Sequence, residues 1–290
     1  VKLPATEGVD ASTAAIDRLA PPELARMLLE SQRTAIDAAL AATDAIGGAI
    51  VIVADALRAG ARVVLFGAGT SGRLAVLDAS ELPPTFGLAP GRVIARIAGG
   101  EPALRSAVEG AEDDTAAGTR AAEDLRAEDV AIGVSASGGA PFVHAALLAA
   151  RARGAYTIAI VNADASALAP DADLAIVAET GAEPIAGSTR MRAGTAQKLV
   201  LNTISTGAMV LLGKTYGNRM VDVVASNAKL RARAERLVGE LAPGSDAAAL
   251  LQAAHGSVKL AVVMARRGVD AEAGRRLLTL AGGRLAAVID

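Results

Sequence analysis

Five short apolar runs, separated by stretches of helical pattern, constrain this chain more than any other feature. They are Arg62–Phe66, Arg92–Ile97, Val130–Ser135, Tyr156–Val161 and Leu174–Ala178, each built largely from Val, Ile, Leu or Ala. Continuous apolar runs of this length suit strands buried on both faces, as parallel strands are when helices cover a sheet. Strands alternating with helices therefore predict an α/β fold, a doubly wound five-stranded parallel sheet of flavodoxin-like type.

The flanking regions read differently. The first sixty residues read as helical, with Pro21-Pro22 ahead of apolar positions Leu24, Met27, Leu28, Ile36 and Leu40 at close to a 3.6-residue period. Gly47-Gly48 is expected to break this region into two helices, and Gly60 to end the second. Beyond Arg190 the strand pattern stops. A long helix is predicted over Ala193–Gly213 and another near Met220–Leu237. "APGSDAAALLQ" then reads as a linker in which Ser245 or Asp246 caps the next helix, and about three short amphipathic helices fill the last fifty residues. The expected organisation is an N-terminal helical arm over 1–47, an α/β domain with its following long helices over 48–242, and a small C-terminal helical module over 243–290.

Composition removes several function classes. Formal charge is −2 and aromatics are limited to three Phe and two Tyr, which leaves neither a basic field nor a stacking surface for nucleic acid. There is no cysteine, so disulfides and thiolate metal sites are excluded, and a reducing compartment is the natural setting. His144 and His255 fall in different regions and read as structural or surface residues rather than as ligands or a triad base. The N-terminal "VKLPATEGVD" lacks the apolar core of a signal peptide. The apolar stretches Ala45–Leu57 and Leu199–Leu212 fall short of the roughly 18 residues a membrane helix needs. A soluble, cytoplasmic protein is expected.

Two glycine-rich turns carry the first chemical signal. Gly67, Gly69 and Gly72 satisfy G-x-G-x-x-G in "VVLFGAGTSG", but a dinucleotide site also wants an acid at the end of the second strand. That strand ends "IARIAGG", with no acid before Glu101. The turn instead offers the hydroxyls of Thr70 and Ser71 beside the amides of a helix N-terminus, a set suited to a phosphate monoester. "VAIGVSASGG" repeats the pattern with Ser135, Ser137 and Gly138. Two such turns at the carboxyl ends of strands in one sheet would face one crevice, so a sugar phosphate is favoured over a dinucleotide.

Carboxylates supply the second signal. Glu81 precedes Pro83-Pro84, which are expected to terminate the helix opened by the first turn. A carboxylate there would meet the negative end of the helix dipole and suit a general acid. In "SAVEGAEDD" a helix would put Glu109 and Glu112 on one face beside Asp113 and Asp114. Either glutamate could serve as a base for a carbon acid, and spacing does not choose between them. A third stretch, from Ser188 and Thr189 through Arg190, Arg192 and Thr195 to Gln197 and Lys198, places hydroxyls and cations at a helix start, as an anionic ligand would require.

With these residues in view, the chain resembles the N-acetylmuramic acid 6-phosphate etherases of the sugar isomerase (SIS) superfamily. The likeness covers nearly the whole length, including "TEGVDASTAAIDRL", "GAGTSGRLAVLDASELPPTFG", "IAGGEPALRSAVEGAEDD" and "GSTRMRAGTAQKLVLNTISTGAMVLLGKTYGNRMVDVVASNAKL". The resemblance implies a five-stranded SIS domain and cleavage of a lactyl ether by elimination and then addition of water on the open-chain sugar. It places the catalytic acid on Glu81 and the base on Glu112. Gly69, Thr70, Ser71, Ser135, Ser137 and Gly138 would hold the phosphate, with Ser188 and Lys198 as further binding residues. No metal or organic cofactor is implied, and a homodimer with a small-molecule sugar phosphate as its partner is. One departure stands out. Where the family usually reads "SGRTPYV", this chain reads "SGGAPFV", so Gly139 and Ala140 replace an Arg and a Thr. Two other functions fit the same crevice: an aldose–ketose isomerase, and a non-catalytic sensor akin to the glucokinase regulatory proteins. Retention of both glutamates argues against the sensor.

Overall fold

The computed structural model describes residues 4–164, 166–222 and 228–290. Contacts divide the chain into two compact units, Val1–Ser80 with Gly91–Ser205 and Glu81–Pro90 with Thr206–Asp290.

The first unit holds the sheet. Strands β1 (Val63–Gly67), β2 (Val93–Ile97), β3 (Val130–Ser135), β4 (Tyr156–Val161) and β5 (Leu174–Val177) are all parallel, in the order β2-β1-β3-β4-β5. Every expected strand is present to within a residue at either end. β1 and β3 are buried along their whole length, which explains their unbroken apolar sequence. Val64, Phe66, Val143, Leu147 and Val161 form the centre of one core cluster. This is the SIS arrangement anticipated from the sequence.

The N-terminal region begins with three single 3-10 turns rather than a helix. Helices α1 (Pro21–Ser31), α2 (Arg33–Ala41) and α3 (Thr43–Arg58) follow. Gly47-Gly48 does not break the chain: both glycines lie inside α3, and the breaks fall at Gln32 and Ala42. Ile46, Ala49, Val53, Ala54 and Leu57 form one buried stripe along α3, and burial of that stripe outweighs the helix cost of about 1 kcal/mol per glycine. Gly60, at φ +93°, ends α3 as expected.

Helix α4 (Gly69–Phe86) also differs from expectation. Pro83 and Pro84 lie within it rather than ending it, so Glu81 is not at a helix terminus and the dipole argument for its role lapses. Proline keeps a helical φ but loses its own donor and crowds the carbonyl four residues back; burial of Leu82 and Phe86 offsets that cost and the turn continues. α5 (Thr115–Ala121) and α6 (Pro141–Ala152) complete the crossovers, and α7 (Arg192–Leu211) follows the sheet.

In the second unit, a two-residue hairpin of β6 (Thr215–Tyr216) and β7 (Arg219–Met220) stands where no strand was expected. Of the helix anticipated over 220–237, residues 223–227 lie outside the described residues, and the described helix is α8 (Ala228–Leu241). Three helices, α9 (Ala247–Ala253), α10 (Val258–Arg267) and α11 (Ala271–Leu280), and the single turn α12 (Ala286–Ile289) pack around Val238, Leu260, Val263 and Leu285. Asp246, not Ser245, caps α9 by accepting from Ala249 N–H. Pro243 falls in the turn between α8 and α9. Among the described residues no single helix is long and apolar enough to cross a membrane.

An ion cluster pins the lower edge of the sheet. Arg62, just before β1, donates through its guanidinium to Asp129 at 2.6 Å and to Asp124 at 2.9 Å, and its backbone N–H donates to Asp129 at 2.8 Å. Arg96 donates to Asp124 as well, which, with Arg62, holds that carboxyl well below the usual range. Burial alone would raise the carboxyl of Asp129, whose side chain is only 2% exposed. Arg62 and two backbone N–H groups outweigh burial, and Asp129 stays below its ordinary value. Arg62→Ala would strand Asp129 as a buried, unpaired charge and should cost about 3 kcal/mol at neutral pH, measured by urea unfolding. Because both carboxyls are depressed, the cluster's contribution is present above about pH 4 and is lost as pH falls through their folded values. The gap between wild type and variant should therefore narrow in acid.

Candidate active site

The site forms where the sheet changes direction. From β1 the chain crosses to β2 on one side and returns to β3 on the other, and the loops leaving β1 and β3 lie side by side at the carboxyl ends of these two strands, Gly67 being in register with Val134. Open α/β sheets bind ligands at such switch points.

The first loop is tight because its glycines touch. A Cβ on Gly67 would fall 2.6 Å from Gly72 N, and one on Gly72 would fall 2.5 Å from Ile97 Cγ1. Gly69 adopts φ +52°, in the left-handed region. With no side chains between them, the start of α4 lies directly against the end of β1. Ser71 is buried and Thr70 half-buried.

The second loop is held by its own hydroxyls. Gly138 N–H donates to Ser135 Oγ at 3.1 Å, and Gly139 N–H donates to Ser137 Oγ at 3.2 Å. Gly138 sits at φ +73°, and a Cβ there would fall 1.7 Å from Ser166 Oγ. That hydroxyl is itself engaged, accepting from Leu168 N–H at 3.1 Å.

Between the loops lies a cavity of about 280 Å³ lined by Gly69, Thr70, Ser71, Ser135, Ser137 and Ala140, together with Glu7, Glu112 and Thr189. Five of the six expected phosphate-loop residues thus share one cavity, with Gly138 buttressing the loop behind them. No Lys or Arg is among the described lining residues. Phosphate binding here would rest on hydroxyls, amides and the helix terminus.

The β2–α5 connection brings in Glu112. It is not on a helix face shared with Glu109: Gly110, at φ +69°, separates them, and Glu112 occupies a single 3-10 turn, Ala111–Asp113. Arg73 of α4 donates to the carbonyls of Leu104 and Ser106, both at 3.3 Å, and Asp114 caps α5. Of the two glutamates that spacing left equivalent, Glu112 lines the cavity and Glu109 is not among its lining residues. Partial burial, with the neighbouring Asp113, raises the Glu112 carboxyl above its ordinary value, the direction that makes a stronger base.

Helix α7 is closed differently. The fully buried Glu183 accepts from the N–H groups of Arg192 at 2.8 Å and Ala193 at 2.9 Å. Its start is therefore filled by the protein's own carboxylate rather than left for an anionic ligand. Arg192 pairs with Asp10 at 2.9 Å, Thr195 donates to Gln32 at 2.8 Å and Gln197 donates to Asn162 at 2.9 Å. Thr189 lines the cavity, whereas Ser188 and the exposed Lys198 are not among its lining residues. Glu81 is exposed, three turns further along α4 than Thr70. Of the histidines, His144 lies 2.5 Å from Asp171, and His255 takes φ +51° in the turn after α9. Glu7 carries no periodicity or motif chemistry that would have marked it; its only signal was its place in "TEGVDASTAAIDRL".

Comparison with known proteins places this geometry in a family. A profile described as the glucokinase regulatory protein N-terminal SIS domain matches residues 45–151, and one described as the SIS domain matches residues 106–207. N-acetylmuramic acid 6-phosphate etherases from Deinococcus radiodurans and Streptomyces avermitilis are 47% and 48% identical to this chain. Each alignment covers 98% of the chain, and 94% and 93% of those proteins respectively. The protein of that name from Escherichia coli is 43% identical over 98% of the chain and 97% of its own length. Among solved structures, a phosphoheptose isomerase from Francisella tularensis superposes with a TM-score of 0.54 at 20% identity, covering 66% of this chain and all of that one. This likeness is one of fold.

The second loop can be tested directly. Gly138→Ala combines a strained φ with a clash against an engaged hydroxyl and should cost roughly 2–3 kcal/mol. It should also abolish thermal stabilisation by inorganic phosphate. Gly139→Ala, whose Cβ would meet Ser137 Oγ at an ordinary 3.4 Å, should leave both unchanged in the same melting assay.

Proposed function

The chain belongs to the N-acetylmuramic acid 6-phosphate etherases, and on that premise we propose how its cavity performs their reaction. The enzyme is a carbon–oxygen lyase that cleaves the D-lactyl ether of N-acetylmuramic acid 6-phosphate, giving N-acetylglucosamine 6-phosphate and D-lactate. The phosphate docks on the amides and hydroxyls of Gly69, Thr70 and Ser71 and on Ser135 and Ser137, in the loop buttressed by Gly138. Glu112 removes the proton at C2 of the open-chain sugar, beside the C1 aldehyde. The resulting enolate expels lactate from C3. The departing oxygen takes up a proton, a role that the resemblance to the family gives to Glu81. Water then adds its oxygen to C3, and C2 regains a proton.

The observation that carries this reading is Glu112. It lines the crevice formed by the two hydroxyl-bearing loops, and its carboxyl is shifted toward greater basicity. The roles of a base and an acid with separated protonation states follow the general pattern of paired catalytic carboxyls. We further propose a homodimer, supported by the exposure of Leu29, Ile36 and Leu40 at 72%, 52% and 65%. A cytoplasmic site of action accords with the absence of cysteine.

Purified protein given N-acetylmuramic acid 6-phosphate in ¹⁸O water should release unlabelled lactate and place the label on the sugar. Lactate carrying the label would mean that the bond on the other side of the ether oxygen was cut. Ketose product without lactate would point to an isomerase. Glu112→Gln should reduce lactate release by at least about a hundredfold. Since Glu112 must be ionised to act and its carboxyl is raised, the acid limb of kcat/KM should lie above the usual glutamate value of about 4.3. A limb at or below that value would exclude Glu112 as the base.

A further inference from the structure

We propose that Glu7 is a substrate-contacting residue of this site, accepting hydrogen bonds from the sugar's hydroxyl and amide groups and so setting specificity for the sugar rather than for its phosphate. The proposal rests on the etherase reading above and extends it to a part of the chain that reading does not use.

Glu7 lines the same cavity as Glu112 and the two phosphate loops. It reaches that position on a strap, residues 4–13, that is fastened from both sides. Thr6 is fully buried while Glu7 beside it is exposed, so adjacent residues divide anchoring from presentation. Glu7 N–H donates to Pro4 carbonyl at 2.9 Å, closing a 3-10 turn. Further on, Asp10 accepts from Ser12 and pairs with Arg192, which also donates to the carbonyls of Ser31 and Ala182. Because Arg192 and Ala193 are the residues whose N–H groups bind Glu183, the strap is tied to the first residue of α7. Beyond the anchor, the Glu7 carboxylate lies over Gly187: a Cβ there would come 3.8 Å from Glu7 Oε2. Among the described residues no hydrogen bond or ion pair engages this carboxylate.

Charge decides which part of the substrate it meets. An acceptor-only group is repelled by a phosphate dianion and by the lactyl carboxylate. A carboxylate in this cavity is useful against the remaining functions of an amino sugar, its hydroxyls and its acetamido N–H, all of which donate. The hydroxyl-lined loops face the anion, and Glu7 answers the donors.

Glu7 is at the surface, so its replacement should leave folding intact, which a melting curve would verify. Glu7→Ala should raise KM for N-acetylmuramic acid 6-phosphate by about tenfold or more, the usual range for a hydrogen bond to a charged group. The inhibition constant of inorganic phosphate should stay within about twofold of wild type. Glu7→Gln, which keeps a carbonyl acceptor, should recover part of the loss. Calorimetry of N-acetylglucosamine 6-phosphate against inorganic phosphate reads the same contact without turnover. A failure of the etherase reading, seen as no lactate from wild-type protein, is thereby separated from a failure of this one. Three results would overturn the proposal: unchanged KM in both variants, equal weakening of sugar phosphate and phosphate in Glu7→Ala, or a wild-type protein that gains no affinity from the sugar.

Discussion

The cavity at the sheet's carboxyl edge depends on one close approach, the contact of Gly67 with Gly72. The end of β1 and the first turn of α4 meet with no Cβ between them, so the helix starts immediately at the sheet's carboxyl edge. A larger residue at either position would push the helix away, and with it Thr70 and Ser71. Because β1 and β3 are neighbours in register, the second loop is then placed within reach of the first. Arg73, one residue beyond that contact, ties the β2–α5 connection to the same helix and so sets the position of Glu112. Geometry at one glycine pair thus propagates to both hydroxyl-bearing loops and to the turn that carries Glu112.

Two helix starts in the first unit make opposite use of the same electrostatics. Unpaired N–H groups and the aligned peptide dipoles favour a negative charge at either one. At α7 the protein supplies that charge itself, with Glu183 bonded to two backbone N–H groups and buried beyond the reach of water. At α4 the corresponding place lines the cavity. Of the cations gathered at α7, Arg192 is employed within the structure, pairing with Asp10 and donating to the carbonyls of Ser31 and Ala182, while Thr189 of the same stretch lines the cavity.

Much of this was legible in the sequence, and the misses have physical causes. Strand positions were readable because strands buried on both faces leave unbroken apolar runs, and the two loops that share the cavity because each is a Gly- and Ser-rich turn at the end of such a run. Helix ends were read less well. Gly47-Gly48 and Pro83-Pro84 are breakers by propensity, yet both sit inside helices, because the buried stripe of α3 and the burial of Leu82 and Phe86 decide the outcome there. Glu109 and Glu112 looked equivalent because periodicity assumes a helix, and the left-handed Gly110 that separates them leaves no periodic trace. Glu7 was invisible for a different reason. Its place in the cavity is created by contacts with Ala182, Gly187 and Arg192, more than 170 positions away, and no local pattern encodes those.

The composition of the cavity wall suits what the proposed base, Glu112, would require. A carboxylate that removes a proton from carbon must be ionised and yet basic, and a neighbouring cation would defeat the second condition by stabilising the charge. Burial and Asp113 both act the other way on Glu112. Holding a phosphate with lysine or arginine in so small a space would place that cation beside the base. Hydroxyls, amides and a helix terminus, as in the proposed phosphate site, would bind the anion without doing so. Viewed this way, Gly139 and Ala140, which stand where the resemblance expects an Arg and a Thr, leave the second loop without a cation. Ala140 is buried in the cavity wall. The cavity wall is left with no Lys or Arg among its described lining residues, a setting in which nothing opposes the upward shift of the Glu112 carboxyl.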